Sequence, residues 1–591
     1  MNKRILLPLL VSLALQACLK AKVENVLQPN TVLNTTSSSI RLFNFSASNL
    51  DIAINNNPLT SFVNNVSTGG TQLGLTLFPN GYWPSADNGS PFNVPQVLLD
   101  KNGNAHVHIQ YRLSYSESSN PPAIDTTLQD DPLNPKDYYV MDNDAHLVIL
   151  NRDNTPPAQP QDIKIRIINM GQTGDPLNLS GPVVLTYADG TMVDPVTGNV
   201  GTGVMGAYAE IPYGSYEFKL FMSKGGIPDF TRQLAELPLY PNYDPCGSIP
   251  VQEDMLPQLR TFKPGGVYSV VITPNFFRYY ACHDQTTAKF ATLNAYRVVT
   301  EQDPGTNVTF ARMQGINAMG ASPVSFQVDG QPLASSLAFG KASDYSIFVQ
   351  GTHQVIVLDG SGKTLVQKPI TLYPYDNYAL WAYNHPDGTP DILFSSVDMT
   401  GVVYSSVYIN ANGNISYYDD GTSGLGRLDT VPYAWETRFI NLSPDVPYAT
   451  FTDDSVLLTS LNQGNDSIAY TASSINMATG VLPADNPYTL VTLFGYNNAP
   501  SAYPPRLVSK GITPGELRAY SSTPTQIPGS LLTNVAPVQS SQGFVANPAL
   551  YSPGYLLPAE LGSYTVALIG KISASPGDPE AARLIVIKHN K

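Results

Sequence analysis

The chain has 591 residues, of which 13% are Asp, Glu, Lys or Arg, and it is rich in Pro (50), Gly (45) and Tyr (34). Single cores seldom grow past about 250–300 residues, so several domains are expected, and the turn-rich composition is that of an all-β protein rather than a helical or disordered one. A formal charge of −14 repels nucleic-acid phosphates, which sets nucleic-acid binding aside.

The first element is "MNKRILLPLLVSLALQAC": basic Lys3 and Arg4, an apolar run from Ile5 to Leu15, and small Ala17 before Cys18. This is the design of a secretory leader, and the run is shorter than the roughly 20 residues a membrane-spanning helix needs. Leu15-Gln16-Ala17-Cys18 resembles the bacterial lipobox, in which the cysteine is diacylated and becomes the first mature residue. Residues 1–17 are therefore read as signal peptide and 18–38 as a lipidated tether. Buried acyl chains would hold the protein to a membrane without a transmembrane helix. Leu19 stands where an Asp would signal inner-membrane retention, so the outer membrane is expected, at its periplasmic face or at the cell surface.

"IRLFNFS", "IRIINMG", the looser "RMQGINAM" and "TRFINLS" recur along the chain. Their asparagines, Asn44, Asn169, Asn317 and Asn441, are 125, 148 and 124 residues apart. Near-equal spacing indicates about four copies of one domain. The fold class is all-β, a tandem array of immunoglobulin-like β-sandwiches at residues 39–155, 162–300, 308–400 and 437–591, with 401–436 as a connecting segment. Such a row would hold its loops away from the membrane on a stalk. A second landmark is a Gly or Asp shortly before a Tyr that opens a strand: "YGSYEFKLF", "GGVYSVVITP", "YDNYALWAY" and "LGSYTVALIG".

Within the first copy, His106 and His108 share one face of a strand, since side chains alternate with period two. Without a third ligand nearby they are read as an exposed polar face, with a metal pair as the alternative. Asp130, Asp131, Asp137, Asp142 and Asp144 form a carboxylate cluster, read as a solvated loop with a calcium site as the alternative. In the second copy, residues 201–206 read Gly-Thr-Gly-Val-Met-Gly, but a strand pattern follows them rather than the helix of a dinucleotide site. Cys246 and Cys282 are the remaining cysteines, and in an oxidising compartment a disulfide is expected, with two buried thiols as the alternative. "NFFRYYACHD" places Phe276, Arg278 and Tyr280 on one face of a strand. That strip is either a ligand contact suited to sugar stacking or a protein hot spot, or packing between the second and third domains.

In the third copy, Gly360-Ser361-Gly362-Lys363-Thr364 imitates the end of a phosphate-binding loop. The motif's first glycine is replaced by Val357, and both flanks alternate as strands, so a hairpin turn is predicted and no nucleotide. No nucleophile elbow is present, and no catalytic residue, metal or cofactor is expected.

The run "SPVSFQVDGQPLASSLAFGKASDYSIFVQGTHQVIVLDGSGKTLVQKPITLYPYDNYALWAYN" resembles the family called domain of unknown function 4397, common in lipoproteins of Bacteroidota. The join "YYVMDNDAHLVILNRDNTPPAQPQDIKIRIINMG" is similar to that family's passage between copies. The resemblance implies a sandwich array and no known activity. The expected protein is lipid-anchored in the cell envelope, not an enzyme, with a binding, adhesion or scaffolding role toward a glycan or protein ligand. The alternative is a glycan-capture or glycan-processing partner of a nutrient importer.

Overall fold

A computed structural model of the chain describes residues 36–45, 49–59, 91–112, 123–141, 147–236, 257–281, 284–398, 408–409, 415–416, 435–457, 474–482, 508–509, 516–539, 542–550, 555–556, 560 and 562–591, omitting 154, 176, 177, 258, 306, 321 and 375. It forms two compact units. Of the unit comprising Met1–Thr35 and Val402–Thr430, the antiparallel pair Tyr408–Ile409 and Ile415–Ser416 is described. The other unit, Thr36–Gly401 with Val431–Lys591, is a multi-domain all-β sandwich array.

The first and third sandwiches share one eight-strand plan. In the first, one sheet runs Phe92–Pro95, Ser37–Asn44, Lys136–Val140, Leu147–Asn151 and the other Asn57–Pro58, Asn49–Ile54, Asn104–Arg112, Ala123–Gln129. The third repeats that order with Ser346–Val349, Phe310–Asn317, Asp376–Asn384, Pro390–Asp398 over Gln331–Leu337, Val324–Val328, Gly351–Leu358, Thr364–Leu372. The fourth keeps the plan around Trp435–Asn441, Gly562–Ile569 and Arg583–Lys588. In the second, the two sheets run into one another as an eight-stranded sheet containing Asp162–Asn169, Val267–Ala281 and Asp284–Gln302.

Each recurrent Arg/Asn strand lies parallel to a later strand of its own sandwich: Ser37–Asn44 with Lys136–Val140, Asp162–Asn169 with Val267–Ala281, Phe310–Asn317 with Asp376–Asn384, and Trp435–Asn441 with Gly562–Ile569. Both faces of these strands are covered, which is why they read as apolar runs instead of alternating. Ile40 and Leu42 enter the first core, whereas Phe43 points the other way into a cluster with Phe45, Tyr139 and Met141 of its own sandwich and Ile168, Val271 and Val299 of the second. Likewise Ala311 and Met313 enter the third core, while Ile316 and Trp381 pack on Ile440, Leu442, Ala567 and Ile569 of the fourth. The opposite sheet of the first sandwich faces solvent and does alternate: Ala105, Val107 and Ile109 are buried, and His106 is exposed.

The sandwiches are not strung out in a row. The second touches the fourth as well as its sequence neighbours, through Lys219 on Glu560 and through Asn547, which donates to the Asp189 carbonyl. The expected stalk is replaced by a cluster: apolar faces bury one another between the first and second sandwiches and between the third and fourth, and polar contacts join the second to the fourth.

Candidate functional site

The residues that made the repeat visible are buried, and they act inside the protein. Asn169, Asn317 and Asn441 make the same clip. Each side-chain oxygen accepts the N–H two residues on, from Gly171, Met319 and Ser443. Each amide donates to two carbonyls: Gly181 and Val200, Ser322 and Leu337, Val446 and Met477. A buried carbonyl needs a partner, and one asparagine serves two of them while holding a turn.

The arginines join sheets and sandwiches. Arg41 forms a two-point pair with Asp137 and reaches the Glu301 carbonyl of the second sandwich. Arg166 pairs with Glu301 at 2.7 Å and lies 4.5 Å over the Tyr208 ring. Arg438 donates to the Ser396 carbonyl of the third sandwich. In the third copy the arginine is displaced. The residue three before the asparagine, opposite the position after the strand's tyrosine, is Gln314, while Arg312 sits two residues earlier and donates to the Tyr213 carbonyl.

The tyrosine landmark is also structural. Tyr268 and Tyr378 each accept, through the hydroxyl, the N–H five residues upstream, from Lys263 and Tyr373, and Tyr564 donates to the Glu560 carbonyl at 2.6 Å, with the Phe544 carbonyl 3.0 Å away. Tyr216 belongs to a different strand, Gly214–Glu217, paired with Leu259–Phe262, so Tyr268 is the second copy's equivalent.

One buried cluster of titratable groups was not foreseen from sequence. It lies where the second, third and fourth sandwiches meet. Lys588 Nζ stands 3.3 Å from Glu217 Oε2 and 3.1 Å from Glu560 Oε2, and Lys219 Nζ is 2.9 Å from Glu560 Oε1. Burial pushes the Glu217 carboxyl up to about 7, and its Oε1 has no hydrogen-bond partner among the described residues. Burial also pushes Glu560 up, but the ammoniums of Lys588 and Lys219 outweigh it and hold that carboxyl down to about 2. His589 is fully buried, with Nδ1 3.1 Å from Gln314 Nε2 and 2.9 Å from the Tyr345 hydroxyl, and Nε2 2.7 Å from Thr565 Oγ1. An amide nitrogen only donates, so Nδ1 accepts and the ring proton is donated to Thr565. Burial, with the Arg438 charge nearby, holds the imidazole down to about 3. No spacing signal ties Glu217 to Lys588, which lie 371 residues apart.

Other titratable groups lie in the first and third sandwiches. Asp125, on the neighbouring strand, lies 3.0 Å from His108 Nδ1 and 3.6 Å from His106 Nε2, with the three side chains 58%, 44% and 51% exposed. Among the described residues, no group of three or more His, Cys, Asp or Glu is disposed to hold a metal ion. The carboxylate cluster does not converge. Asp130 accepts from Ser39, Asp131 closes its own turn onto Leu133 and Asn134, and Asp137 is buried against Arg41; Asp142 and Asp144 lie outside the described residues. Asp137 is thus no solvated loop residue, because the repeat arginine draws it into the sheet. His385 Nε2 is 3.0 Å from Asp391, an oriented imidazole, but no Ser, Thr or Cys among the described residues hydrogen-bonds to it.

Both glycine motifs are turns. The Asp359 carboxylate accepts from the Ser361 N–H and hydroxyl and from the Lys363 N–H. Gly362 has φ +85°, and Gly351–Leu358 pairs antiparallel with Thr364–Leu372. A phosphate loop needs a helix here, and a strand follows instead. In the other motif, Gly203 turns at φ +78° into Val204–Met205, which pairs with Asp162–Asn169.

Cys18, Cys246 and Cys282 lie outside the described residues, as do the side chains of Phe276, Arg278 and Tyr280. The backbone sets these last three opposite Thr292, Phe290 and Ala288 in the hairpin of Val267–Ala281 with Asp284–Gln302. Among the described residues no helix is long and apolar enough to cross a membrane. No family model matches the chain, and no curated protein is similar to it.

Proposed function

We propose that the chain is a lipid-anchored outer-membrane protein with a non-catalytic binding, adhesion or scaffolding role, built from immunoglobulin-like copies of domain of unknown function 4397. The leader ending in Leu-Gln-Ala-Cys18 supports the anchor. The observation that carries the role is the position of the recurrent polar residues. Arg41, Arg166, Arg438 and the three clipping asparagines are buried and hydrogen-bonded within the array, so what the copies have in common is architecture. Recognition is then left to the connecting loops, which a sandwich holds in place.

Cys18→Ser tests the anchor: the variant is expected in the soluble fraction, and retention in the outer membrane would overturn it. A glycan array and a co-purification screen with the full chain test the role. Binding without turnover is the expected result, and cleavage of an array glycan would replace this reading with a glycan-processing one.

A further inference from the structure

The sandwiches meet in two chemically different ways. The first and second, and the third and fourth, are joined sheet to sheet by apolar clusters. Among the described residues, no cluster of buried apolar side chains spans the second and fourth. Their contact is made by residues 588–591 together with Lys219 on Glu560, Asn547 on the Asp189 carbonyl and Leu550 beside Gly190.

Lys588 lies between Glu217 of the second sandwich and Glu560 of the fourth, and Lys219 reaches the same Glu560 from the second. His589 faces the other way, toward Gln314 and Tyr345 of the third. The Lys591 N–H donates to the Ser215 carbonyl at 3.2 Å, its carbonyl accepts from the Glu217 N–H at 3.0 Å, and its ammonium stands 4.4 Å over the Tyr187 ring. Residue 591 therefore adds to the strand Gly214–Glu217 as a further β pairing. Between the second and third sandwiches, which adjoin in sequence, Phe310 and Ile347 pack half-buried on the second core and Arg312 donates to the Tyr213 carbonyl.

The two kinds of contact differ in how they resist opening. Apolar burial favours the closed state at roughly 25 cal/mol per Å². A buried set of two carboxylates and two ammoniums gains attraction but loses hydration, and the terms nearly offset. Two backbone hydrogen bonds at one strand edge are among the first to open.

We propose that residues 588–591 are a latch. Docked, they hold the pair formed by the first and second sandwiches against the pair formed by the third and fourth; released, they let the two pairs separate as folded bodies about the contact between the second and third.

Hydrogen exchange of the full chain, corrected for intrinsic rates, tests this. Lys588→Met is expected to raise exchange at the Glu217 and Lys591 amides at least tenfold, leave the strands Lys136–Val140 and Trp435–Asn441 protected, and enlarge the radius of gyration in small-angle scattering. Unchanged exchange at Glu217 overturns the latch. Should Lys588→Met instead expose Gly562–Ile569, Lys591→Pro decides, because it removes an N–H and an ammonium from an exposed residue. Faster exchange at Glu217 with Gly562–Ile569 protected supports the latch, and no change at Glu217 overturns it.

Discussion

The strand Phe310–Asn317 carries both kinds of interface on one face. Arg312 and Gln314 point into the polar junction, while Ile316, next in the alternation, enters the apolar cluster shared with the fourth sandwich. The other copies order their outward residues alike: Arg41 then Phe43, Arg166 then Ile168, Arg438 then Ile440. The recurrent motif is thus an interface motif, a polar hydrogen-bonding group followed by an apolar residue two positions on. Its apolar half joins sandwiches in pairs through area buried. Its polar half depends on partners brought from elsewhere in the chain, and so differs from copy to copy.

The largest effect should come from breaking the apolar half. Trp381 is fully buried and donates to Ser395 Oγ at 3.0 Å. Trp381→Ala should cost about 4 kcal/mol, seen as a lower urea midpoint. An equal loss of midpoint from Lys588→Met would erase the distinction between the two interfaces.

The polar half should respond to pH. His589 stays neutral in the fold down to about 3 against an ordinary 6.5, so its contribution is present above pH 6.5 and is lost as pH falls toward 3. Glu217, pushed up to about 7 from 4.5, contributes most below pH 4.5 and loses that contribution as pH rises to 7. Between pH 6.5 and 4.5 the two offset each other. Below 4.5, Glu560, held down to about 2, begins to lose its contribution too, and stability should fall steeply. In Glu217→Gln the fall should begin near pH 6.5, at roughly 1.4 kcal/mol per pH unit, or about 2–3 kcal/mol by pH 4.5. Urea midpoints at pH 7, 5.5 and 4.5 check this, and parallel curves for wild type and variant would refute it.

The smallest effect sharpens the contrast within one strand. Gln314→Ala removes hydrogen bonds to His589 and Tyr345 and should cost about 1 kcal/mol. A loss as large as that of Trp381→Ala would show that the polar half carries as much as the apolar half.

What was legible in the sequence was local. The turn at residues 359–363 follows from an Asp whose carboxylate reaches N–H groups two and four residues on and from a glycine at positive φ, chemistry contained in five positions. The alternation of Ala105, Val107 and Ile109 with His106 likewise records a strand with one wet face. The recurrence of Asn169, Asn317 and Asn441 was visible because each clip closes a turn of its own sandwich.

Long-range pairing was not legible. Asp137 reads as one of several loop carboxylates until Arg41, 96 residues away, takes it into a buried pair. Gln314 stands three residues before Asn317, as the arginines do before their asparagines, but that His589, 275 residues away, is its partner left no mark in the sequence. The meeting of Lys219 with Glu560 and of Glu217 with Lys588, 341 and 371 residues apart, was decided only when the second sandwich came against the fourth. Backbone geometry and turn chemistry act over a few residues and leave a pattern in the sequence; burial against a distant surface acts through space and leaves none.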